Sequence, residues 1–205
     1  MEWGDLTISI LQATVRSGTP ILFACVGEIY AERSGVLNLG VEGMMLVGAI
    51  AGFFTSFVTQ NAVAGVLAAA AVGAFFSLVH AYVTINLRAD QIVSGLTLTL
   101  LGTGLSGFFG QPMIGRVAPG FNTVPIPGLS QIPWIGRILF QQDALVYASY
   151  LLVPVTWWVL YRTHMGLSIR SVGESPETAD SLGVRVLAMR YGCVVFGGVL
   201  AGVGG

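Results

Sequence analysis

Apolar residues run along this chain in five blocks of bilayer length, 6–27, 36–58, 62–86, 91–109 and 144–161, and a further block opens at Tyr191. A bilayer core takes about 20 apolar residues as helix. The pattern predicts an all-α, polytopic helical integral membrane protein with five spans and part of a sixth. The last block, Tyr191 to Gly205, stops in Ala201-Gly202-Val203-Gly204-Gly205 with no flanking charge, so a C-terminally truncated chain is expected.

The polar connectors set an orientation. Glu28–Gly35, Asn86–Asp90 and the long Thr163–Arg190 fall on one side and carry Arg33, Arg88, Arg170, Arg185 and Arg190, with Arg162 at the edge. The opposite side holds Gln60-Asn61 and residues 110–143, with Arg116 and Arg137. Arginine excess places the first group in the cytoplasm. Residues 162–190 then form a cytoplasmic coupling loop, 110–143 an extracytoplasmic connector, and the N-terminus lies outside. Arg16 and Pro20 interrupt the first block, so residues 6–15 belong either to that span or to a helix lying in the interface. The outer connector holds five of the eight prolines and is expected to be ordered. Its Trp134, Ile135, Ile138 and Leu139, beside Arg137 and Gln141, have the spacing of a short interfacial helix.

Composition agrees and excludes several classes. Hydrophobic residues make up 54% of the chain, 28 residues are glycine, and only 9% are charged, where a soluble domain carries about 25%. All nine basic residues are arginine. Without lysine there is no P-loop and no Schiff-base amine, so an ATPase or kinase is excluded for this chain on its own and energy must come from elsewhere. No basic stripe suits nucleic acid. Cys25 and Cys193 read as small buried hydrophobes, not a disulfide. His80 and His164 have no ligand-spaced neighbours, so neither a metal nor a cofactor is expected. The start, Met1-Glu2-Trp3-Gly4-Asp5, is acidic where a signal peptide is basic.

Some residues stand out against this background. Gly48-x-x-x-Gly52 and Gly198-x-x-x-Gly202 suit close helix packing. Gly102-Thr103-Gly104-Leu105-Ser106-Gly107 has the spacing of a dinucleotide loop, but it lies inside an apolar span and follows no strand. On the fourth span, Gln91, Gly95, Thr99, Gly102, Thr103 and Ser106 share one side. Such a side faces either another helix or a wet path for a neutral polar solute. Glu42, early in the second block, must be paired or wet. Arg33, Arg16 and Arg88 are its candidate partners; otherwise it acts on a solute or a gate. Within 162–190, residues 173–183 read as one short capped helix: Ser175 at the N-cap, Pro176 in the first turn, Glu177 at the positive end of the dipole and Gly183 just past the C-terminus. A rigid acidic knob of this kind suits docking into a soluble partner.

Three stretches carry a family resemblance: Gly27-Glu28 with 31–44 (Ala-Glu-Arg-Ser-Gly-Val-Leu-Asn-Leu-Gly-Val-Glu-Gly-Met), 89–96 (Ala-Asp-Gln-Ile-Val-Ser-Gly-Leu), and Gly166-Leu167 with 170–184 (Arg-Ser-Val-Gly-Glu-Ser-Pro-Glu-Thr-Ala-Asp-Ser-Leu-Gly-Val). Over essentially its whole length the chain resembles the permease subunits of ABC importers in the branched-chain amino acid, ribose and nucleoside group. It is most similar to the nucleoside permeases paired with basic-membrane-lipoprotein-type binding proteins. The resemblance implies a single permease domain over 1–205 in the bacterial plasma (inner) membrane. It implies three partners besides the bilayer: a cytoplasmic ABC ATPase, a second permease (a sister chain), and an extracytoplasmic solute-binding protein. Glu174, Glu177, Ala179 and Gly183 match the loop that couples to the ATPase, with Ser175 and Pro176 inside it. Family members continue beyond the match to Gly205.

The expected activity is transport without covalent chemistry, most simply of a nucleoside. Asn38, Glu42, Gln91, Thr99, Thr103 and Ser106 are the candidate pathway residues, and Phe108 or Phe109 could stack on a base. A simple sugar or a riboflavin-like solute is the alternative within the group. Outside it stand a proton-coupled secondary transporter using Glu42 and a membrane scaffold without transport.

Overall fold

Capping residues mark where several helices begin. The Asp90 carboxylate accepts from the N–H groups of Ile92 and Val93 at 2.9 and 3.0 Å. Asp143 does the same for Leu145 and Val146, both at 3.1 Å, and the Thr163 hydroxyl accepts from Gly166 N–H at 3.1 Å. Each satisfies amides that a helix leaves unpaired in its first turn. The structure is a computed structural model that describes residues 3–205; Met1 and Glu2 of the acidic start lie outside the described residues.

The element order is α1 Trp3–Arg33, α2 Val41–Thr59, α3 Ala62–Ala81 with a π-helical end Tyr82–Asn86, α4 Gln91–Gly110, α5 Ile135–Leu139, α6 Ala144–Arg162, α7 His164–Glu174, α8 Pro176–Ser181 and α9 Val186–Gly204. A two-residue antiparallel pair, Val124–Pro125 with Gln141–Gln142, flanks α5. Among the described residues, five helices are long and apolar enough to cross a bilayer: 41–59, 62–86, 91–113, 144–162 and 186–204. The polytopic helical class expected from the apolar blocks is therefore the observed one.

Packing centres on α9. Of its apolar window 39% is buried, against 17–22% for the other four. Glycines set the approach distances. A Cβ placed on Gly48 of α2 would lie 2.7 Å from Gly202 Cα, and one on Gly27 of α1 would lie 2.7 Å from Gly197 O. One on Gly198 would sit 2.6 Å from Gly73 O of α3. Backbones this close admit no side chain between them, so the two small-residue repeats of α2 and α9 are packing devices. Phe23, Val26, Tyr30, Leu160, Ile169, Cys193 and Leu200 join α1, α6, α7 and α9 in one core.

Three features differ from the pattern reading. First, α1 runs unbroken through Arg16 and Pro20 for 31 residues, about 46 Å at helical rise and longer than a hydrocarbon core. Its N-terminal half leans on the 110–143 connector: Gln12 Nε2 donates to Arg137 O at 2.5 Å, and Arg16 Nε donates to Gln142 Oε1 at 3.0 Å. Arg16 is therefore spent on Gln142 and leaves Glu42 alone. Second, α9 starts at Val186, five residues before the apolar block, and Arg190 in its second turn turns its guanidinium back to Ser34 O at 3.2 Å. Third, residues 164–174 are helical, not open connector. Ile169 and Val172 are fully buried there, so an apolar stripe holds α7 against the bundle. The short helix expected around 134–139 forms as α5, with Trp134 60% and Ile135 55% exposed.

The hydrogen bonds distinguish two ends. Ser34, Leu37, Asn86, Gln91, Tyr161, Gly173, Arg190 and Tyr191 meet at one. Arg16, Gln142 and Tyr147 meet at the other, as do Ser56 with Pro119 and Arg116 with Phe57. Arg33, Arg88, Arg162, Arg170, Arg185 and Arg190 sit at or beside the first end.

Candidate functional site

Two arrangements meet at the arginine-rich end. The first is the α7–α8 unit. Thr163 caps α7, and a Cβ on Gly166 would strike the Leu160 carbonyl, so α7 folds tightly back on α6. Ser175 separates it from α8. The Ser175 side chain does not cap α8 as the spacing suggested; its Oγ pairs with Thr178 Oγ1 at 2.8 Å. The other end matches the reading. Gly183 has φ +83°, its N–H donates to Asp180 O at 2.8 Å, and Val184 N–H donates to Ala179 O at 3.0 Å. These two bonds make a Schellman stop, which calls for glycine at the left-handed position.

Residues 174–183 divide between the bundle and the outside. Ala179 is 1% exposed and is the face by which α8 is seated. Glu174, Glu177, Asp180 and Gly183 are exposed, Ser175 and Pro176 are half-buried, and Leu182 is 79% exposed. The outward surface thus carries three carboxylates around one apolar side chain. Asp180 and Leu182 were inside the helix read from the sequence but not among its named coupling residues, although their place one turn from Glu177 and Thr178 is a legible signal. The unit is anchored further by Arg170, whose guanidinium lies 5.2 Å from the Tyr161 ring centre. Gly173 packs on the chain between α1 and α2: a Cβ there would lie 3.3 Å from Gly35 N.

The second arrangement is that connecting chain, 34–40, which is neither helix nor strand. Irregular backbone inside a bundle needs partners for its amides and carbonyls, and side chains of four helices supply them. Glu28 Oε1 accepts from Asn38 N–H at 2.8 Å, and Gln91 Oε1 accepts from Leu37 N–H at 2.7 Å. Thr99 Oγ1 donates to Leu39 O at 3.0 Å. The His80 ring meets Leu37 O at 3.2 Å and Ser94 Oγ at 3.0 Å, and Arg190 holds Ser34 O. Asn38 is 3% exposed and accepts from Gly40 N–H through Oδ1 at 3.0 Å.

This fixes where each candidate pathway residue lies. Asn38, Gln91 and Thr99 are brought together around 37–39. Glu42 is exposed on the first turn of α2, and among the described residues it forms no ion pair with Arg33, Arg16 or Arg88. Thr103 is exposed, its hydroxyl donating to Thr99 O at 2.8 Å, and Ser106 is half-exposed. The polar side of α4 has two parts. Gly95, Thr99 and Gly102 press on 39–43, while Thr103 and Ser106 continue past that contact toward Phe108 and Phe109, which are 74% and 56% exposed. Glu28, His80, Ser94 and Arg190 were not among the candidate site residues of the sequence reading; nothing in local spacing ties them to residues 34–40.

Comparison with known proteins gives consistent similarities. Residues 10–205 match the family described as branched-chain amino acid transport system / permease component. The "Putative glucose ABC transporter permease protein TsgC13" of Haloferax volcanii is 47% identical over 200 residues, which cover 96% of this chain and 61% of that protein. The guanosine ABC transporter permease protein NupQ of Bacillus subtilis is 39% identical over 210 residues, 96% of this chain and 65% of its own length. The nucleoside ABC transporter permease protein NupC of Lactococcus lactis subsp. cremoris is 40% identical over 205 residues, covering 91% and 62%. The chain therefore spans between three fifths and two thirds of the length of these relatives. No solved structure matches it.

Proposed function

Because the chain belongs to the permease component family of the branched-chain amino acid transport system, we propose that it works as a multi-pass plasma-membrane permease subunit of an ATP-driven ABC importer. The observation that carries the reading is the α7–α8 unit: a short acidic helix, capped by a Schellman turn and seated through Ala179, stands on a buried base at the arginine-rich end. Arginine excess assigns that end, with 162–190, to the cytoplasm and the 110–143 connector to the outside. The face of Glu174, Glu177, Asp180 and Leu182 then meets the ATPase. A solute-binding protein delivers at the connector end, and a second permease, a sister chain, completes the pathway.

Movement of the ATPases is passed from α8 through α7 to residues 34–40, which Gly173 touches and Arg190 holds, and from there to α2 and α4. This is a route for alternating access by discrete rearrangement of packed helices. The chain performs no bond chemistry. Asn38, Glu42, Gln91, Thr99, Thr103 and Ser106 remain the proposed polar residues of the path. The first three-sided cluster (Asn38, Gln91, Thr99) acts through the backbone it holds, and Thr103 and Ser106 act from the open face.

The solute is a small hydroxylated molecule. Relatives named for guanosine and nucleoside transport support a nucleoside, and the relative named for glucose supports a simple sugar as the second reading. Uptake of labelled nucleoside by cells expressing the permease with its partners, challenged by excess glucose, separates the two. The energy source is tested in the same cells. Uptake that fails on ATP depletion with the gradient maintained fits the proposal; uptake that fails only with an uncoupler makes the protein a secondary transporter.

A further inference from the structure

Two helices close on a single residue of the 34–40 chain. Leu37 N–H donates to Gln91 Oε1 at 2.7 Å, and the Leu37 carbonyl lies 3.2 Å from His80 Nε2. Both backbone polar groups of Leu37 are therefore taken by side chains, one from α4 and one from α3. The His80 ring is keyed in turn to α4, its Nδ1 lying 3.0 Å from Ser94 Oγ. Gln91 and Ser94 are one helical turn apart and share a face of α4. Gly95 beside them lets that face come close, since a Cβ there would lie 2.8 Å from Leu39 N.

The partners fix the protons. A carbonyl oxygen only accepts, so His80 Nε2 carries the ring proton and donates it to Leu37 O, while Nδ1 accepts from the Ser94 hydroxyl. The ring is then neutral, fully buried and satisfied at both nitrogens. The same logic orients Gln91. A backbone N–H only donates, so the side-chain oxygen faces Leu37 and the Nε2 amide group is turned away from it. Gln91 is half-buried, and among the described residues its Nε2 donates to no protein group. We infer that His80 is a positioning residue for the solute path: by clasping Leu37 against Gln91 it holds Gln91 as a contact that only donates, so the solute presents a neutral acceptor there, a carbonyl, a ring nitrogen or a hydroxyl oxygen. The inference rests on the transport reading and gives Gln91 a second task beyond holding the backbone.

The test uses the complete permease reconstituted in vesicles with its ATPase, sister chain and binding protein. Uptake of labelled guanosine, and of labelled glucose in parallel, is read together with ATP hydrolysis, and thermal melting is read on each purified permease. Gln91→Glu keeps an oxygen for Leu37 N–H but turns the free end from donor to acceptor. It should melt with the parent and lower solute carried per ATP by about threefold to tenfold, the usual worth of one hydrogen bond. His80→Leu frees the Leu37 carbonyl and should lower the same ratio. His80→Gln, whose amide can donate to Leu37 and accept from Ser94, should restore it. With Gln91→Glu already present, His80→Leu should lower the ratio no further. A purely structural histidine would lower the melting temperature of His80→Leu and leave solute per ATP at the parent value, which would overturn the inference, as would parent-like transport by Gln91→Glu. Nitrogen-15 NMR of the histidine-labelled permease, with the His80 signals identified by their loss in His80→Gln, should show a protonated Nε2 and a bare Nδ1. Protonation at Nδ1 alone or at both nitrogens would overturn the clasp. A parent that carries neither probe would overturn the transport reading and the solute contact with it, and the spectrum separates that failure from a failure of the clasp.

Discussion

If the polar side of α4 is a packing face at Gly102 and an open face at Gly104, alanine at these two positions must behave oppositely. Alanine gains up to about 1 kcal/mol of helix propensity over glycine at either site. At Gly104 nothing lies within 4 Å of the new methyl group, so the gain stands. At Gly102 the methyl carbon would lie 2.6 Å from Gly43 Cα and 2.7 Å from Gly43 C, where carbon atoms prefer about 3.5–4.0 Å. The clash is with backbone, which cannot rotate away, so α2 and α4 must separate by about 1 Å. Such overpacking costs about 1–3 kcal/mol. The two variants should differ by roughly 2 kcal/mol, or roughly 4–8 °C in melting temperature for a chain of this size. The assay uses the buried Cys193 thiol as the reporter of unfolding, through a thiol-reactive fluorophore, in a background where the exposed Cys25 is replaced by serine. Equal melting of Gly102→Ala and Gly104→Ala would refute the α2–α4 contact and return Gly102 to an open pathway.

Further outcomes follow from the same geometry. Gln91→Leu leaves the Leu37 N–H without its acceptor and should destabilise by about 1–3 kcal/mol; Thr97→Val, on the exposed side of the same helix, should melt with the parent. Ala179→Trp has no room beneath α8 and should raise protease sensitivity at 175–183, whereas Glu177→Ala should not. Gly183→Ala meets no neighbour but must hold φ +83°, so it should cost about 1 kcal/mol and speed hydrogen exchange at Val184. In the complete transporter, Thr103→Val with Ser106→Ala should reduce nucleoside uptake without loss of assembly; unchanged uptake would remove those residues from the path.

Much of the fold was legible because hydropathy and helix caps act locally. Gly183 does in the structure what its position suggests, and Gly48 and Gly202 meet as the small-residue repeats imply. What was not legible depended on distant partners. Pro20 reads as a helix breaker, yet α1 continues because Arg16 and Gln12 find the connector 125 and more residues away. The α7 helix was hidden because its buried stripe, Gly166, Ile169 and Val172, is short and interleaved with polar residues. At the site, the acidic face of α8 was readable from 173–183, but Ala179 carries no local sign of facing inward. The polar side of α4 was visible as a stripe, yet its partner, the backbone at 37–39, lies about sixty residues earlier and is fixed only by tertiary packing.

The central claim is that the α7–α8 unit docks the ATPase through its outward carboxylates, and co-purification tests it most directly. The complete permease is expressed with its candidate ATPase, as parent and as the joint Glu174→Arg, Glu177→Arg variant, and the pair is isolated through a tag on the permease. The account predicts that the ATPase accompanies the parent and is lost from the variant while the melting temperature of the permease is unchanged. An ATPase that stays bound to the charge-reversed permease would contradict it.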